Sequence, residues 1–499
     1  MSLVTVRDFS YTYPNATRPA LEGINLSVEQ GEFVVVAGPS GGGKSTLGKA
    51  LAGFLFQDEQ PNYAGEIIVH GTAMDQVPLY EASERVAYVQ QNPEDQFCTL
   101  TVLDEIAFGL ENRCVAPDMI AEQIEKALAI VQGLELKNRS LDTLSGGEKQ
   151  KVAIASMLVL NPDVLILDEP TSNLDPAATL NVFSALHHMR TEQNLTVIII
   201  EHKLNQLISF EPRWVILEDG KIAQEGMSYY QSQIHKAASK HFPVQFEPHA
   251  DKACPLYRLE NVSLKAGQKT ILEDTTLDLY AGEFISLMGP NGSGKTSLLQ
   301  LMMKLLPVNS GQIFAFGQDL ANTRTSTLVE KVGFLFQNPD HQLFTQSVWE
   351  EATLTLENLH QLTPEKIEEA ESWLSRLELS DRLQTHPNRL SYGEKRRLNL
   401  VSALLHGPAL LILDEFLIGQ DSVNAHQWMH FLSDFTNLGN TVLLVNHHPE
   451  LSQIYCDRIL FLNEGKLQID SPAVEAFAKI ADLGFSAFLP QYEGESDYA

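Results

Sequence analysis

Two nine-residue stretches of this chain have the composition to hold phosphate. Gly38-Pro39-Ser40-Gly41-Gly42-Gly43-Lys44-Ser45-Thr46 and Gly289-Pro290-Asn291-Gly292-Ser293-Gly294-Lys295-Thr296-Ser297 both fit G-x-x-x-x-G-K-[ST]. Glycines let the backbone turn successive N–H groups toward phosphate oxygens, and a helix starting there adds the positive end of its dipole. Lys44 and Lys295 would then reach the outer phosphates, and Ser45 and Thr296 a Mg2+ ion. Further on, Asp168-Glu169 and Asp414-Glu415 each end an apolar run, Leu165-Ile166-Leu167 and Ile412-Leu413. One carboxylate at the end of a buried strand can hold Mg2+, and its neighbour can orient an attacking water. Asp168 and Asp414 fit the first role, Glu169 and Glu415 the second. A solvated turn could leave the same two letters, but two occurrences at matched places argue against it.

The matched places define an internal duplication. The phosphate loops lie 251 positions apart (289 − 38) and the acidic pairs 246 apart (414 − 168). Each loop follows an apolar run, Phe33-Val34-Val35-Val36-Ala37 or Phe284-Ile285-Ser286-Leu287-Met288, and the first leads into the helical pattern Leu47-Gly48-Lys49-Ala50-Leu51. Residues 4–28 alternate as strands do, and a turn at Pro61-Asn62-Tyr63-Ala64-Gly65 leads into the strand Glu66-Ile67-Ile68-Val69-His70-Gly71. Residues 116–133 carry apolar side chains at helical spacing (Ile120, Ile124, Ala127, Leu128, Val131), which predicts a helical insert. The short runs Val164-Leu165-Ile166-Leu167 and Val197-Ile198-Ile199-Ile200 read as parallel strands buried on both faces. The second half repeats this order with Val332-Gly333-Phe334-Leu335-Phe336, a helical insert over 364–377, Leu410-Leu411-Ile412-Leu413 and Val442-Leu443-Leu444-Val445. The expected architecture is α/β, with domains at 1–240 and 256–499, a linker at 241–255, and a helical stretch from about Ser471 ending in a frayed acidic tail after Gln491.

Composition limits the function. Over 499 residues, Lys+Arg 35 against Asp+Glu 64 gives a net charge of −29, which argues against a surface built to neutralise nucleic acid. Cys98, Cys114, Cys254 and Cys456 form no C-x-x-C pair, so neither a disulfide framework nor a zinc site is expected, and a reducing compartment suits them. The start has no signal-peptide pattern, and no apolar run approaches the roughly 18–20 residues of a membrane span. Work at a membrane would then go through a partner.

Leu144-Ser145-Gly146-Gly147-Glu148-Lys149-Gln150 resembles the signature sequence of ATP-binding cassette (ABC) proteins, and Leu390-Ser391-Tyr392-Gly393-Glu394-Lys395 is its counterpart. By composition alone, Ser-Gly-Gly could equally be a helix cap. The resemblance extends to Gln91 and Gln337 as Q-loop glutamines, to Ser172-Asn173-Leu174-Asp175 as a D-loop, and to His202 and His447 as switch histidines. It implies two P-loop NTPase cassettes in tandem, each with a helical signature subdomain, that hydrolyse ATP with Mg2+. Gln91 and Gln337 would join Ser45, Asp168, Thr296 and Asp414 around the metal, while Glu169, Glu415, His202 and His447 would be catalytic. It also implies head-to-tail pairing within the chain. One ATP would lie between residues 38–46, with Gln91, Asp168, Glu169 and His202, and the facing Ser391, Gly393 and Glu394. The other would lie between residues 289–297, with Gln337, Asp414, Glu415 and His447, and the facing Ser145, Gly146 and Gly147.

The two sites are expected to differ. Tyr13 resembles the aromatic that stacks on adenine, whereas counting 251 positions on gives the aliphatic Leu264. Tyr392 stands where the first copy has Gly146, which would put a bulky group near a γ-phosphate, and Phe416-Leu417-Ile418-Gly419-Gln420-Asp421 departs from Pro170-Thr171-Ser172-Asn173-Leu174-Asp175. Both sites are expected to bind and hydrolyse ATP, at unequal rates. Finally, Asn92-Pro93-Glu94-Asp95-Gln96-Phe97 and Asn338-Pro339-Asp340-His341-Gln342-Leu343-Phe344 resemble the ATPase subunits of energy-coupling factor transporters, importers of vitamins and of cobalt or nickel. That resemblance implies an integral membrane coupling scaffold and a small substrate-binding membrane protein as partners, no nucleic acid, and a peripheral place on the cytoplasmic face of the membrane.

Overall fold

The computed structural model describes residues 2–14, 16–57, 61–202, 204–223, 228, 231–232, 234, 254–267 and 269–490. The expected linker at 241–255, apart from Cys254 and Pro255, and the acidic tail at 491–499 lie outside the described residues. Two compact units emerge, Met1–Lys240 with Gly419–Asn424, and His241–Ile418 with Ala425–Ala499.

In the first unit the strands are β1 (Ser2–Thr12), β2 (Leu21–Glu29), β3 (Phe33–Ala37), β4 (Asn62–Val69), β5 (Thr72–Ala73), β6 (Val86–Val89), β7 (Val164–Asp168), β8 (Thr196–Ile200), β9 (Arg213–Glu218) and β10 (Lys221–Ile222). They form an antiparallel sheet of order β2-β1-β4-β5 and a second sheet of order β10-β9-β3-β8-β7-β6, parallel from β9 to β6. The inner parallel strands are apolar along most of their length because both faces are covered. Val34, Val36, Ile166 and Ile198 face the core shared with the antiparallel sheet, while Val35, Leu165, Leu167, Val197 and Ile199 face a second core with the helices. That second core includes Val102, Ile106 and Leu110 of the helix Val102–Asn112, Ile124 and Leu128 of Pro117–Ile130, and Val152 and Leu158 of Gly146–Leu158. The expected insert over 116–133 is the middle helix of this group.

The second unit repeats the plan with β11 (Tyr257–Ala266), β12 (Lys269–Leu279), β13 (Phe284–Met288), β14 (Ser310–Ala315), β15 (Gln318–Asp319), β16 (Val332–Leu335), β17 (Leu410–Leu413), β18 (Thr441–Val445), β19 (Arg458–Asn463) and β20 (Lys466–Pro472). Its sheets have the orders β12-β11-β14-β15 and β16-β17-β18-β13-β19-β20. Its helices Val348–Asn358, Pro364–Arg376 and Tyr392–Leu404 bury Val348, Leu356, Leu374, Leu398 and Val401 in a core of their own. After β20 comes the helix Ala473–Asp482, and Phe485 and Phe488 then close over Phe461. No helix among the described residues is long and apolar enough to cross a membrane.

One expected correspondence is corrected. In both units the first strand bulges at a residue with positive φ, Asp8 (φ 45) or Asn261 (φ 49), where Gly65 or Gly311 crosses so close that a Cβ would meet the Asp8 or Asn261 carbonyl at 2.3 Å. The offset there is 253 (261 − 8), not 251, because the loop that follows is two residues shorter in the second copy. Leu264, paired with Leu272, therefore matches the buried Tyr11, paired with Leu21. The counterpart of Tyr13 is the exposed Ala266.

Candidate active site

Each phosphate loop joins a buried strand to a helix, β3 to Lys44–Leu51 and β13 to Lys295–Met302. Gly38 (φ 136), Gly41 (φ 79) and Gly43 (φ 98) have their counterparts in Gly289 (φ 142), Gly292 (φ 77) and Gly294 (φ 105). A Cβ at Gly38 would lie 2.1 Å from the Leu217 carbonyl, and one at Gly289 2.0 Å from the Leu462 carbonyl, so these turns require glycine. Neither helix has a side-chain cap, whereas Thr101, Ser145, Ser347 and Ser391 cap the helices they precede. Their first N–H groups are thus left for a ligand. Lys44 Nζ folds back to donate to the Gly38 and Pro39 carbonyls at 2.9 and 2.8 Å, and Lys295 Nζ does the same to Gly289 and Pro290 at 2.9 Å each. Burial pulls Lys44 below the ordinary lysine range, against the opposing pull of nearby carboxylates, Glu169 first. The Tyr13 hydroxyl lies 3.3 Å from Thr46 Oγ1, and the ring, 39% exposed, rests edge-on against Tyr11.

The acidic pairs stand at the ends of β7 and β17. Ser45 Oγ donates to Asp168 Oδ1 at 3.1 Å, and the buried Tyr88 hydroxyl donates to Asp168 Oδ2 at 2.7 Å. Glu169 is held from both sides, by Gln91 Nε2 at 2.8 Å and His202 Nε2 at 3.1 Å. The second unit repeats this with Gln337 at 2.6 Å and His447 at 3.1 Å from Glu415. Both glutamates have positive φ, 47 and 51 degrees, a strained backbone of the kind found where geometry serves a site. Burial pushes both members of each pair upward, and their different neighbours drive them apart. It raises Asp168, and it raises Asp414 to about 7, with Glu415 adding to the push. Burial also works upward on Glu169 and Glu415, but the adjacent histidine and lysine outweigh it, and both stay below the ordinary glutamate range. Asp414 receives the Thr296 hydroxyl, but at the place of Tyr88 the second unit has Phe334, and Asp414 Oδ1 has no hydrogen-bond partner among the described residues. Ser293 Oγ is orphaned in the same way. Glycine cradles, uncapped helix starts and orphaned oxygens beside hydroxyl and carboxylate donors fit a nucleoside triphosphate with Mg2+.

Ser145 and Ser391 do cap their helices, each in a reciprocal box with Glu148 or Glu394. The residues expected to form the signature are therefore also helix caps. Gly146 and Gly147 open the helix Gly146–Leu158, and a side chain added at Gly146 would come within 3.6 Å of Asn173 Cβ. Gly393 has open space around it. The Tyr392 ring turns onto Arg396, one turn along its own helix. Behind Gln91 and Gln337, Asn92 and Asn338 cap a short turn, and lysines of the helices Gly146–Leu158 and Tyr392–Leu404 pair with it, Lys149 with Glu94 and Lys395 with Asp340.

These features agree with comparisons to known proteins. The family model described as ABC transporter matches residues 21–172 and again 272–417. The chain belongs to the ABC transporter family. It is an α/β protein of two tandem cassettes with the P-loop NTPase fold, and its activity is that of an ATPase. A Methanosarcina mazei protein, provisionally named an ABC transporter ATP-binding protein, is 32% identical over 98% of this chain and 92% of its own length. A Bacillus subtilis protein, YkoD, provisionally named an HMP/thiamine import ATP-binding protein, is 30% identical over 96% of this chain and 93% of its own. The solved cassette cbiO1 of Clostridium perfringens, part of the ABC transporter complex cbiONQ, aligns with 48% of this chain and 94% of its own at 29% identity and a TM-score of 0.42.

Sequence reasoning missed four contributors to these ABC cassettes. Tyr88 and Arg396 bond to site residues or their backbone. Glu105 accepts from Cys98 N, Thr99 N and the Thr99 hydroxyl at 3.0, 3.0 and 2.9 Å, fixing the chain that leaves the first Q-loop. Glu351 does the same for Phe344 and Thr345 in the second. The Tyr88/Phe334 difference was visible in the duplication. The glutamates look like ordinary first-turn acids.

Proposed function

We propose that this chain is the energy-coupling ATPase of an energy-coupling-factor-type importer, driving uptake of a vitamin or a transition-metal ion through separate membrane components. The observation that carries this reading is the Gln-Asn-Pro-acid-x-Gln run, present in both cassettes as Gln91 to Gln96 and Gln337 to Gln342. The name of the Bacillus subtilis relative, which refers to HMP/thiamine import, supports the vitamin branch. The partners in this reading are an integral membrane scaffold and a small substrate-binding membrane protein, with the chain peripheral on the cytoplasmic face and its two cassettes pairing within the molecule. The acidic charge of −29 favours it over a factor acting on ribosomes or DNA.

In this mechanism the two P-loops hold the phosphates of ATP with backbone N–H groups, and Lys44 and Lys295 exchange loop carbonyls for the outer phosphates. Ser45, Asp168 and Gln91, and in the second cassette Thr296, Asp414 and Gln337, would hold Mg2+. The metal ion would neutralise charge developing on the phosphates. Glu169 and Glu415 stay ionised and accept a hydrogen bond from the attacking water. His202 and His447 hold one oxygen of each glutamate, which leaves the carboxylate little freedom to turn away.

The test is co-purification of the intact chain from detergent-solubilised membranes of its source, followed by ATPase assay. A scaffold and a small substrate-binding membrane protein are the expected companions. Recovery with the permease of a sugar or peptide importer would replace the proposed class with that one, and recovery on ribosomes would remove transport altogether.

A further inference from the structure

Arg396 lies one turn after Tyr392 in the helix Tyr392–Leu404 and is 3% exposed. Its Nη1 donates to the Glu415 carbonyl at 2.9 Å. Its Nη2 donates to the Gln337 carbonyl at 2.7 Å and to the Tyr392 hydroxyl at 2.8 Å. The guanidinium carbon stands 5.1 Å from the centre of the Tyr392 ring, a cation–π contact, and the Tyr392 hydroxyl donates on to the Gln337 carbonyl at 3.4 Å. One buried cation thus grips the backbone of both residues that matter for the Glu415 carboxylate. Glu415 itself has the strained φ of 51 degrees, and the Gln337 amide donates to its side chain at 2.6 Å. In the first cassette the corresponding positions are Gly146 and Gln150. Gln150 is fully buried, and neither polar atom of its amide has a hydrogen-bond partner among the described residues.

We propose that Arg396, steadied by Tyr392, is a positioning residue for ATP hydrolysis in the second cassette. It ties the signature helix to the backbone of Gln337 and Glu415 and thereby sets the direction of the Glu415 carboxylate. The guanidinium suits this task because its planar fork reaches two carbonyls at once, which an ammonium group does not reproduce. Tyr392 is then the ring that holds the fork flat, and the missing signature glycine serves a function. Among the described residues the first cassette has no equivalent tie at Gln150. This inference rests on the reading of Glu415 as the residue that orients the attacking water.

The experiment measures kcat and KM for ATP in the full-length chain, taking as the signal the part of turnover that Glu415→Gln removes. Arg396→Gln, which recreates the first cassette's residue, is expected to lower that part about tenfold while KM stays within about twofold. Arg396→Lys is expected to restore only a fraction of it. Tyr392→Phe is expected to lower it about threefold, and the double variant to be no worse than Arg396→Gln alone, since both act through one contact. Full Glu415-dependent turnover in Arg396→Gln, or effects of the two substitutions that multiply as if independent, would overturn the proposal while leaving the role of Glu415 intact. If Arg396→Gln does not fold, Tyr392→Phe decides, because it removes one oxygen from a residue 42% exposed, and an unchanged kcat there overturns the tie. If Glu415→Gln removes no turnover, the reading of Glu415 fails and the proposal falls with it.

Discussion

Tyr88→Phe gives Asp168 of the first cassette the surroundings that Asp414 has in the second. In the native chain Asp168 is 3% exposed and accepts from Ser45 at 3.1 Å and from Tyr88 at 2.7 Å. The substitution removes the shorter bond and leaves the ring in place, so packing against Phe54 is kept. A hydrogen bond to a charged group is worth about 1.5–3 kcal/mol, equivalent to roughly 1–2 pKa units on the buried carboxylate. The direction is upward, since burial already raises Asp168 and the Tyr88 hydroxyl is the leading group opposing it. An aspartate raised above its unfolded value of 3.8 binds a proton in the folded state that the unfolded chain has lost, so stability falls as pH climbs toward the folded pKa. In Tyr88→Phe that fall continues to higher pH. The destabilisation should therefore be smaller at the lower pH, where more of Asp168 is protonated, and complete well above the variant's raised pKa. For a unit of this size the loss amounts to about 3–12 °C in melting temperature. Calorimetry of the nucleotide-free, metal-free chain at about pH 5 and 8.5 reads it directly. The reciprocal Phe334→Tyr should stabilise the second unit at the higher pH by supplying a donor to Asp414, which burial and Glu415 hold at about 7. A first-unit transition that moves by less than about 1 °C, or by the same amount at both pH values, would refute the reasoning.

Two further outcomes follow from the same geometry. Glu169→Gln and Glu415→Gln should each lower steady-state ATP turnover by at least about 10²-fold at their own site, but with unequal effects on the whole chain, and identical losses would remove the claimed inequality of the cassettes. Gly43→Ala places a Cβ 2.5 Å from the Ala20 carbonyl at a φ of 98 degrees, so it should cost at least about 2 kcal/mol and abolish binding of a fluorescent ATP analogue at the first site, while Gly407→Ala, which carries the same kind of backbone strain at a φ of 71 degrees but meets no neighbouring atom and lies outside the phosphate loops, should leave binding unchanged.

Much of this was legible because the chemistry dictates residue types at fixed spacing. A backbone cradle needs Gly38, Gly41 and Gly43 in order, and the acid pair must fall where an apolar strand ends, so both could be read without coordinates. The error over Leu264 came from carrying one offset through the whole repeat. A loop shortened by two residues leaves every motif intact and shifts only the strand before it, and the bulge at Asn261 makes that shift visible in three dimensions. Tyr392 was noticed as a departure, but its direction was not, because that depends on Arg396 one turn later and on two carbonyls that have no letter in the sequence. Tyr88 was overlooked for a similar reason. Its partner lies 80 positions away, and a tyrosine in an apolar strand reads as core.

Taken together, the differences between the copies fall on one side of a line. Lys44 and Lys295, Asp168 and Asp414, Glu169 and Glu415, and His202 and His447 keep the same identities and nearly the same distances in both units. What changes is what holds them: Tyr88 becomes Phe334, Gln150 becomes Arg396, Gly146 becomes Tyr392, and Tyr13 becomes Ala266. Loss of a reacting group would silence a site, because the same step would have no acceptor for its proton or no counter-charge for its phosphate. Loss or gain of a support changes how often the reacting groups stand correctly, which alters a rate by a factor and leaves the reaction the same. The supports also change in opposite directions. The second cassette lacks a tyrosine donating to its Asp414, as Tyr88 donates to Asp168, and has an arginine bonded to the Glu415 backbone where the first has Gln150. Each copy therefore keeps the same lysine, acidic pair and histidine, while each has a side-chain support that the other lacks.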